Sequence, residues 1–275
     1  MKIKHSVVLC SRNRERELRR CLDGLKKCGG KWMEVVVVGL DREKVVVDRF
    51  GGGLVVRFVR DEKKGLSYAR DAGWKNARGD IVSWIDDDVV VGKKWASKLL
   101  GIFRGNPDVG GVSGPTIIPE NMLENRAVFF WYKPRGLFWK VVGWLWVRLV
   151  LCGDPFEVGR IFWHGWWSPG SNFRSSLKIK GLKDVDYLEA CNMSLRRDLV
   201  DRVGGYDLGY VGTSEWCEVD VSMRVKHEIG CRLVFNSDVR VDHKVSQFGV
   251  YVDRRRIVER LYNFARYSVR RMKWS

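Results

Sequence analysis

The sequence predicts an α/β protein with a largely parallel sheet, and three observations predict it. Short β-rich runs alternate with helical periods over the first 115 residues. The second of those runs, Glu34 to Val38, reads as apolar throughout, as expected of a strand covered by helices on both faces. A later buried strand runs straight into Asp86-Asp87-Asp88. Alternation of this kind places ligands at the carboxyl ends of the strands.

Taken in order, Ser6 to Cys10 is the first strand, closed by the polar loop Ser11-Arg12-Asn13-Arg14. From Glu15 to Lys27, Leu18, Cys21, Leu22 and Leu25 recur at three- and four-residue spacing, the period of a helix with one buried face. Leu54 to Val59 is a third strand. Ser67 to Ala77 is a helix that Gly79 closes, and Ile81 to Ile85 is the strand before the acids. Residues from about 120 to 180 are crowded with Phe and Trp. Within them Leu137 to Leu151 is nearly all apolar, but Lys140 and Arg148 interrupt it, and a spanning helix needs about 20 apolar residues. The segment fits an in-plane interfacial helix with snorkelling cations as well as a helix packed on the core. From Tyr187 the globular pattern returns. Helices are predicted over Arg196 to Val203 and Glu215 to Ile229, with Gly204-Gly205 and Gly230 at C-cap positions, and strands over Leu233 to Phe235 and Val239 to Val241. The tail from Asp253 to Ser275 is predicted helical, amphipathic and very basic: a membrane-surface element or a helix with a solvated charged face.

Across 275 residues, 50 Lys and Arg face 33 Asp and Glu, a net charge of +17 that favours anionic partners. With 45% hydrophobic and 30% charged residues the chain is neither disordered nor a multi-span membrane protein. The 7 cysteines include no C-x-x-C pair, which argues against a zinc ribbon or a disulfide scaffold and leaves a reducing, cytosolic interior as the default. The start, MKIKHSVVLCSRNRE, has too short an apolar run for a signal peptide. No zinc module, RNP-type strand or helix-turn-helix signature accompanies the charge, so nucleic acid is not the expected partner. Carboxylates at a strand's carboxyl end in so basic a chain suit a divalent cation, Mg²⁺ or Mn²⁺, that also grips phosphate oxygens. Asp220 and Arg224, four apart on a helix, are open to reading as a plain surface ion pair. His5 and His164 read as structural or surface residues.

Gly65-Leu66-Ser67-Tyr68-Ala69-Arg70-Asp71-Ala72-Gly73, then Ala77-Arg78-Gly79-Asp80, then Ile85-Asp86-Asp87-Asp88 resemble the successive motifs of family-2 glycosyltransferases with the GT-A fold: G-x-x-x-A-R-N-x-G, A-x-G-D and D-x-D. Glu189-Ala190-Cys191-Asn192-Met193-Ser194-Leu195-Arg196-Arg197 is similar to their G-x-N-M-x-x-R-R segment. Val203-Gly204-Gly205-Tyr206-Asp207 is similar to G-G-F-D, and Cys217-Glu218-Val219-Asp220-Val221-Ser222-Met223-Arg224 to E-D-x-D-L-x-x-R. The likeness covers residues 5–115 and 187–245. It implies a Rossmann-like mixed sheet flanked by helices, divided into a nucleotide-sugar-binding half (1–115), an aromatic-rich insert (116–185), an acceptor-binding half (186–250) and a basic C-terminal helix (251–275).

The resemblance also implies roles. Asp86 and Asp88 form the D-x-D pair, Asp86 towards the ribose and both near the metal, and Asp87 is able to exchange with either. The loop Ser11, Arg12, Asn13 and Arg14 meets the base and Arg70 the nucleotide. Glu218 stands at the catalytic base, with Glu215 one turn earlier as a second candidate. His243 is a further metal ligand or a hydrogen-bonded structural histidine. Asn192 lies near the acceptor, and Arg196 and Arg197 face acceptor phosphates or solvent. Where the family has a base-reading aspartate after the second strand, Gly39 and Leu40 stand here, with Asp41 as the substitute. Asp71 replaces an asparagine and Cys217 an acid. The Q-x-x-R-W element of processive synthases is absent. The implied reaction is metal-assisted, inverting transfer of a single sugar from a nucleoside-diphosphate sugar to an acceptor hydroxyl on a glycan or lipid-linked glycan. The composition of the aromatic insert and basic tail adds an expected location, the inner face of the cell membrane in peripheral contact with anionic lipid. The alternatives are transfer to a polyprenyl phosphate, a sugar-nucleotide binder without turnover, and a nucleic-acid-binding protein.

Overall fold

The computed structural model describes residues 4–62, 64–124, 129–245 and 257–274. Its first half is the predicted alternation: β1 (His5–Cys10), α1 (Glu15–Cys28), β2 (Met33–Gly39), α2 (Asp41–Asp48), β3 (Val55–Arg60), α3 (Leu66–Lys75) and β4 (Ile81–Asp86). A short β5 (Val89–Val91), α4 (Trp95–Gly105), β6 (Val109–Ser113), β7 (Thr116–Ile117) and α5 (Glu120–Glu124) follow. The aromatic segment holds α6 (Leu137–Leu149), and then come β8 (Lys183–Asp184), β9 (Asn192–Arg196), α7 (Arg197–Arg202), α8 (Cys217–Ile229), β10 (Arg232–Phe235), β11 (Val241–His243) and α9 (Ile257–Arg271).

Among the described residues the main sheet has the order β3-β2-β1-β4-β9-β6-β10-β8. Its first four strands are parallel, and β9 is antiparallel to both β4 and β6, so the sheet is mixed. Side-chain alternation builds a core on each face. Val7, Leu9, Val35, Val37 and Ile85 meet Leu18, Leu22 and Leu25 of α1 on one side. Val8, Val82, Trp84, Met193 and Leu195 meet Trp74 of α3 and Val221 and Val225 of α8 on the other. Each buried aliphatic side chain is worth roughly 1.5–3 kcal/mol of transfer free energy.

Several local expectations change. Glu34 is no apolar strand residue: its buried carboxylate takes the Ser6 hydroxyl at 2.7 Å, the Arg78 amide at 2.7 Å and Arg57 at 3.2 Å. Gly79 does not cap α3, which ends at Asn76; a Cβ at Gly79 would stand 2.6 Å from the Ser6 amide, and its own amide donates to Ser6 Oγ at 2.8 Å. Val239 closes a 3₁₀ turn, and the strand begins only at Val241. Arg196 and Arg197 are half-buried and tied to backbone carbonyls. Arg196 donates to the carbonyls of Phe103 and Val109 at 2.8 Å, and Arg197 to that of Ala77.

The largest departure is in the tail. Residues 246–256, with Arg254, Arg255 and Arg256, lie outside the described residues. In α9 the arginines turn inward. Arg266 grips Asp207 at 2.8 and 2.9 Å, and Arg270 spans Asp207 (2.7 Å) and Asp220 (2.8 Å). Asp220 is fully buried and also takes Arg224 at 2.9 Å, so that pair is an interior contact rather than a surface one. Arg271 donates to the carbonyls of Phe162 and Trp163. Asn263 pairs with both backbone groups of Val211, at 2.9 and 3.0 Å. Buried carboxylates need such partners, because an unpaired charge in the interior is costly.

His5 is a core residue, its ring between Trp32 and Trp95 and its Nε2 2.7 Å from Ser83 Oγ. Burial pushes its imidazole from 6.5 down to about 3, so the folded chain holds it neutral while the unfolded chain protonates it. Its contribution is therefore complete above about pH 6.5 and is lost progressively as pH falls towards 3. His5→Gln is expected to flatten the dependence of the urea midpoint on pH between these limits. A curve as steep as that of the wild type would refute this.

Candidate active site

Parallel pairing of β1 with β4 sets Cys10 beside Asp86, so the loop Ser11–Arg14 and the acidic turn Asp86–Asp88 leave the sheet side by side. They open into a cleft of about 440 Å³ whose polar wall includes Arg14, Arg70, Asp86, Asp88, Glu218 and His243. Asp87 turns away from it. Fully buried, Asp87 accepts the Ser11 hydroxyl at 2.6 Å and lies 2.7 Å from Arg14, which also reaches Asp88 at 3.4 Å. Burial pushes the Asp87 carboxyl up to about 8, with Arg14 and the Ser11 hydroxyl pulling it down. Of the loop, Arg12 ion-pairs with Asp61 at 2.6 Å, and Asn13 is exposed in the left-handed region at φ 57°.

The small sheet β5-β11-β7 delivers His243. In it β11 runs antiparallel to β5 with His243 opposite Val89, the Lys244 amide donates to the Asp88 carbonyl at 2.9 Å, and His243 Nε2 lies 3.2 Å from Asp88 Oδ1. Antiparallel β9 pairs Asn192 with Ile85, which leaves Cys191 beside Asp86, its Sγ donating to Oδ2 at 3.0 Å. One ligand atom each from Asp86, Cys191 and His243 lie within 4.8 Å of one another. Carboxylate oxygens and an imidazole nitrogen turned into one cleft make a donor set that fits a hard or borderline divalent cation. Burial raises the Cys191 thiol well above its ordinary range, which keeps it protonated.

Arg70 is the buried cation of the site. It forms an ion pair with Glu218, lies 3.7 Å from Asp86, and donates to Cys217 Sγ at 3.4 Å. Glu218 sits in the first turn of α8, and the chain enters that helix through Ser214 and Trp216, at φ 51° and 71° in the left-handed region. Backbone held this way by non-glycine residues needs support from its surroundings. Ser214 Oγ supplies part of it by accepting the Ser67 amide at 3.1 Å. Glu215 lines the same cleft but is paired with Arg260 of α9 at 2.8 Å. The same cleft has an aromatic wall that includes Trp131, Trp146, Trp166, Trp167 and Trp216.

Not every motif residue reaches the cleft. Asn192 is locked in the core, taking Trp95 Nε1 at 3.1 Å and donating to the Val239 carbonyl at 2.6 Å. Asp41 is exposed on α2 and paired with Arg60 at 2.9 Å. His164 lies at the edge of the insert, its Nε2 donating to the Val150 carbonyl at 2.8 Å. Two further acids come into view. Asp61, just after β3, bonds the Gly39 carbonyl through its amide at 2.8 Å while its side chain holds Arg12. Its signal is that of the first polar residue past a parallel strand. Glu189 lines the cleft, accepting the Ser171 hydroxyl at 2.6 Å and that of Tyr187 at 3.3 Å, and burial raises its carboxyl. No spacing rule singles it out.

A parallel half-sheet that hands acids to a cleft, closed by an antiparallel strand and faced by a carboxylate on a helix N-terminus, is the arrangement of a glycosyltransferase with the GT-A fold. The sequence pattern of the family described as Glycosyl transferase family 2 matches residues 6–203, and the chain belongs to that family. Among curated proteins it is similar to the glucosyl-dolichyl phosphate glucuronosyltransferase of Haloferax volcanii, with 28% identity over 261 residues, 91% of this chain and 72% of that protein. Among solved structures it is similar to the mannosyltransferase PcManGT from Pyrobaculum calidifontis, in complex with GDP-Man and Mn²⁺, with a TM-score of 0.64 and 14% identity. The match covers 99% of this chain and 65% of that one. It is also similar to residues 1–349 of S. aureus TarS in complex with UDP, with a TM-score of 0.59, 16% identity, and coverage of 89% and 61%. The chain thus spans just under two thirds of these solved structures.

Removing the shared cation leaves Glu218 and Asp86 facing one another without a counter-charge. Arg70→Ala is expected to lower stability by roughly 3–5 kcal/mol in urea unfolding, as breaking a buried ion pair from one side does. Unchanged stability would mean that Arg70 does not hold the two acids.

Proposed function

We propose that this glycosyltransferase moves a single sugar from a nucleoside-diphosphate sugar to an acceptor hydroxyl, with inversion and the help of a divalent cation. The observation that carries the reading is the convergence of Asp86, Asp88, His243, Arg70 and Glu218 on one cleft. In this reading Asp86, Asp88 and His243 hold the cation, which when bound offsets the charge developing on the diphosphate leaving group. Arg14 and Arg70 add positive charge beside the phosphates. The incoming diphosphate gives Arg70 a second anionic partner, so its hold on Glu218 slackens as the donor enters. Glu218 is then free to take the proton of the acceptor hydroxyl as that oxygen attacks the anomeric carbon. The loop Ser11–Arg14 and Asp61 form the base-binding end.

A lipid-linked glycan as acceptor is supported by the name of the Haloferax relative and by the apolar breadth of the tryptophan wall. Peripheral contact with anionic membrane is supported by the charge of +17, and the described residues include no helix long and apolar enough to cross a bilayer.

Thermal unfolding with UDP, GDP, CMP and dTDP, each with Mn²⁺, Mg²⁺ or EDTA, tests the donor site. One nucleotide at 100 times its Kd is expected to raise Tm by roughly 5–10 °C with metal and not with EDTA, and Asp88→Ala is expected to abolish the shift. No shift with any of them would remove the donor assignment. Glu218→Gln is expected to lower kcat by roughly 10²–10⁴-fold with the KM for donor little changed. Retained turnover would instead favour a phosphate acceptor, already ionised and in no need of a base.

A further inference from the structure

The two helices that flank the tryptophan wall expose the wrong residues for water. On α6 only Gly143 is fully buried, while Leu137, Phe138, Val141, Trp144, Leu145 and Leu149 are exposed, Trp144 at 60%. On α9 the inward arginines leave Val258, Leu261, Tyr262 and Val269 outside, with Val258 at 80%. Their spacing of three, four and seven residues draws one apolar stripe along the helix. A soluble amphipathic helix points its apolar stripe at the core; α9 sends Phe264 and Tyr267 inward among the arginines and leaves this second apolar stripe outside.

The two apolar faces are tied together. The His164 ring is bonded to the carbonyl of Val150 at the end of α6, and Arg271 of α9 holds the carbonyls of Phe162 and Trp163. Trp163 therefore stands between the helices, 78% exposed. The charge along the α6 segment has one sign. No Asp or Glu occurs between Glu124 and Asp154, whereas Arg135, Lys140 and Arg148 do, and all three are exposed. The Arg148 guanidinium lies over the Trp144 ring at 6.0 Å, and a long cationic side chain of this kind can cover apolar surface while its head reaches a phosphate layer.

We propose that the outward faces of α6 and α9, with Trp163 between them, form one docking surface whose occupant is the acyl layer of a lipid monolayer. Apolar side chains enter the hydrocarbon boundary, and Arg135, Lys140 and Arg148 meet anionic headgroups around it. Single-sign charge rimming an apolar face is the complement of a lipid surface. The arginines of α9 are committed to Asp207, Asp220, Glu215 and the carbonyls of Phe162 and Trp163, so in this helix the hydrophobic stripe does the binding. The surface also adjoins the cleft. Trp146 of α6 and Arg260 of α9 line the cleft, while their chain neighbours Leu145 and Leu261 face outward. Resting on the lipid-linked reading of the acceptor, this surface sets the cleft about one helix diameter from the bilayer, so a polar head reaches it while its tail stays in lipid.

The test is flotation of the detergent-free chain with phosphatidylcholine vesicles and with vesicles containing phosphatidylglycerol, each at low and high salt. The expected result is flotation with both, tighter with the anionic vesicles, and retained at high salt. Val141→Ser/Trp144→Ser/Leu145→Ser on α6 and Val258→Ser/Leu261→Ser/Val269→Ser on α9 are each expected to weaken partitioning by at least roughly tenfold. Lys140→Ala/Arg148→Ala is expected to weaken it only a fewfold, and only with anionic vesicles at low salt. Flotation with no vesicle, flotation abolished by salt, or a sedimenting dimer that both triple variants dissociate would each overturn the proposal, the last by making a second copy the occupant. The nucleotide-induced Tm shift, read on the same variants without lipid, reports folding and the donor site separately. An unchanged shift beside absent flotation would sink the membrane surface alone.

Discussion

Negative charge concentrated at the end of β4 is the constraint around which the active end is arranged. Three consecutive carboxylates cannot all face one small space unless cations, protons or ligands compensate them. The fold divides them. Asp87 goes inward to Arg14 and Ser11, while Asp86 and Asp88 go outward, each beside a partner brought by a different strand. Antiparallel β9 brings Cys191, antiparallel β11 brings His243, and α3 sends Arg70 across to α8. The mixed sheet thus follows from the same requirement as the cleft, since an all-parallel continuation past β4 would not return those residues to the acids.

The parallel half was legible because its information is local. Valine runs, the period of α1 and the polar loop after β1 each speak within a few residues. Of the site, Asp86, Asp88, Arg70 and Glu218 were legible through motif order, and all four line the cleft. What the motifs leave open or miss depends on partners remote in the chain. His243 becomes a neighbour of Asp88 through strand register, which its own surroundings do not state. Glu189 enters the cleft through the Ser171 and Tyr187 hydroxyls. Asn192, Arg196 and Arg197 look equally polar in sequence, yet Asn192 serves Trp95 in the core while the half-buried Arg196 and Arg197 hold the carbonyls of Phe103 and Ala77.

The tail shows the same limit in sharper form. Periodicity gives α9 two faces but does not state which one meets the core, and hydropathy alone assigns the apolar one. Asp207, Asp220 and Glu215 reverse that assignment, because a buried carboxylate without a guanidinium costs more than an exposed valine. Arg260 extends the arrangement to the cleft itself, so the helix that carries the outward stripe also braces one of its glutamates. Surface character and active-site geometry are in this way joined in a single element.

The seam beneath α9 is closely filled by side chains of that helix. A Cβ at Gly209 would stand 2.2 Å from the Arg266 guanidinium carbon, and one at Gly212 2.0 Å from a carboxylate oxygen of Glu259. Neither glycine touches the cleft or offers any chemistry of its own. A survey of every single substitution in this chain would nonetheless find Gly212, held in the left-handed region at φ 58°, less tolerant than an ordinary loop position, and Gly209 tolerant only as far as Arg266 can leave Asp207. Intolerance there would record the fit between two surfaces, and a map drawn from tolerance alone would mistake a joint for an active site.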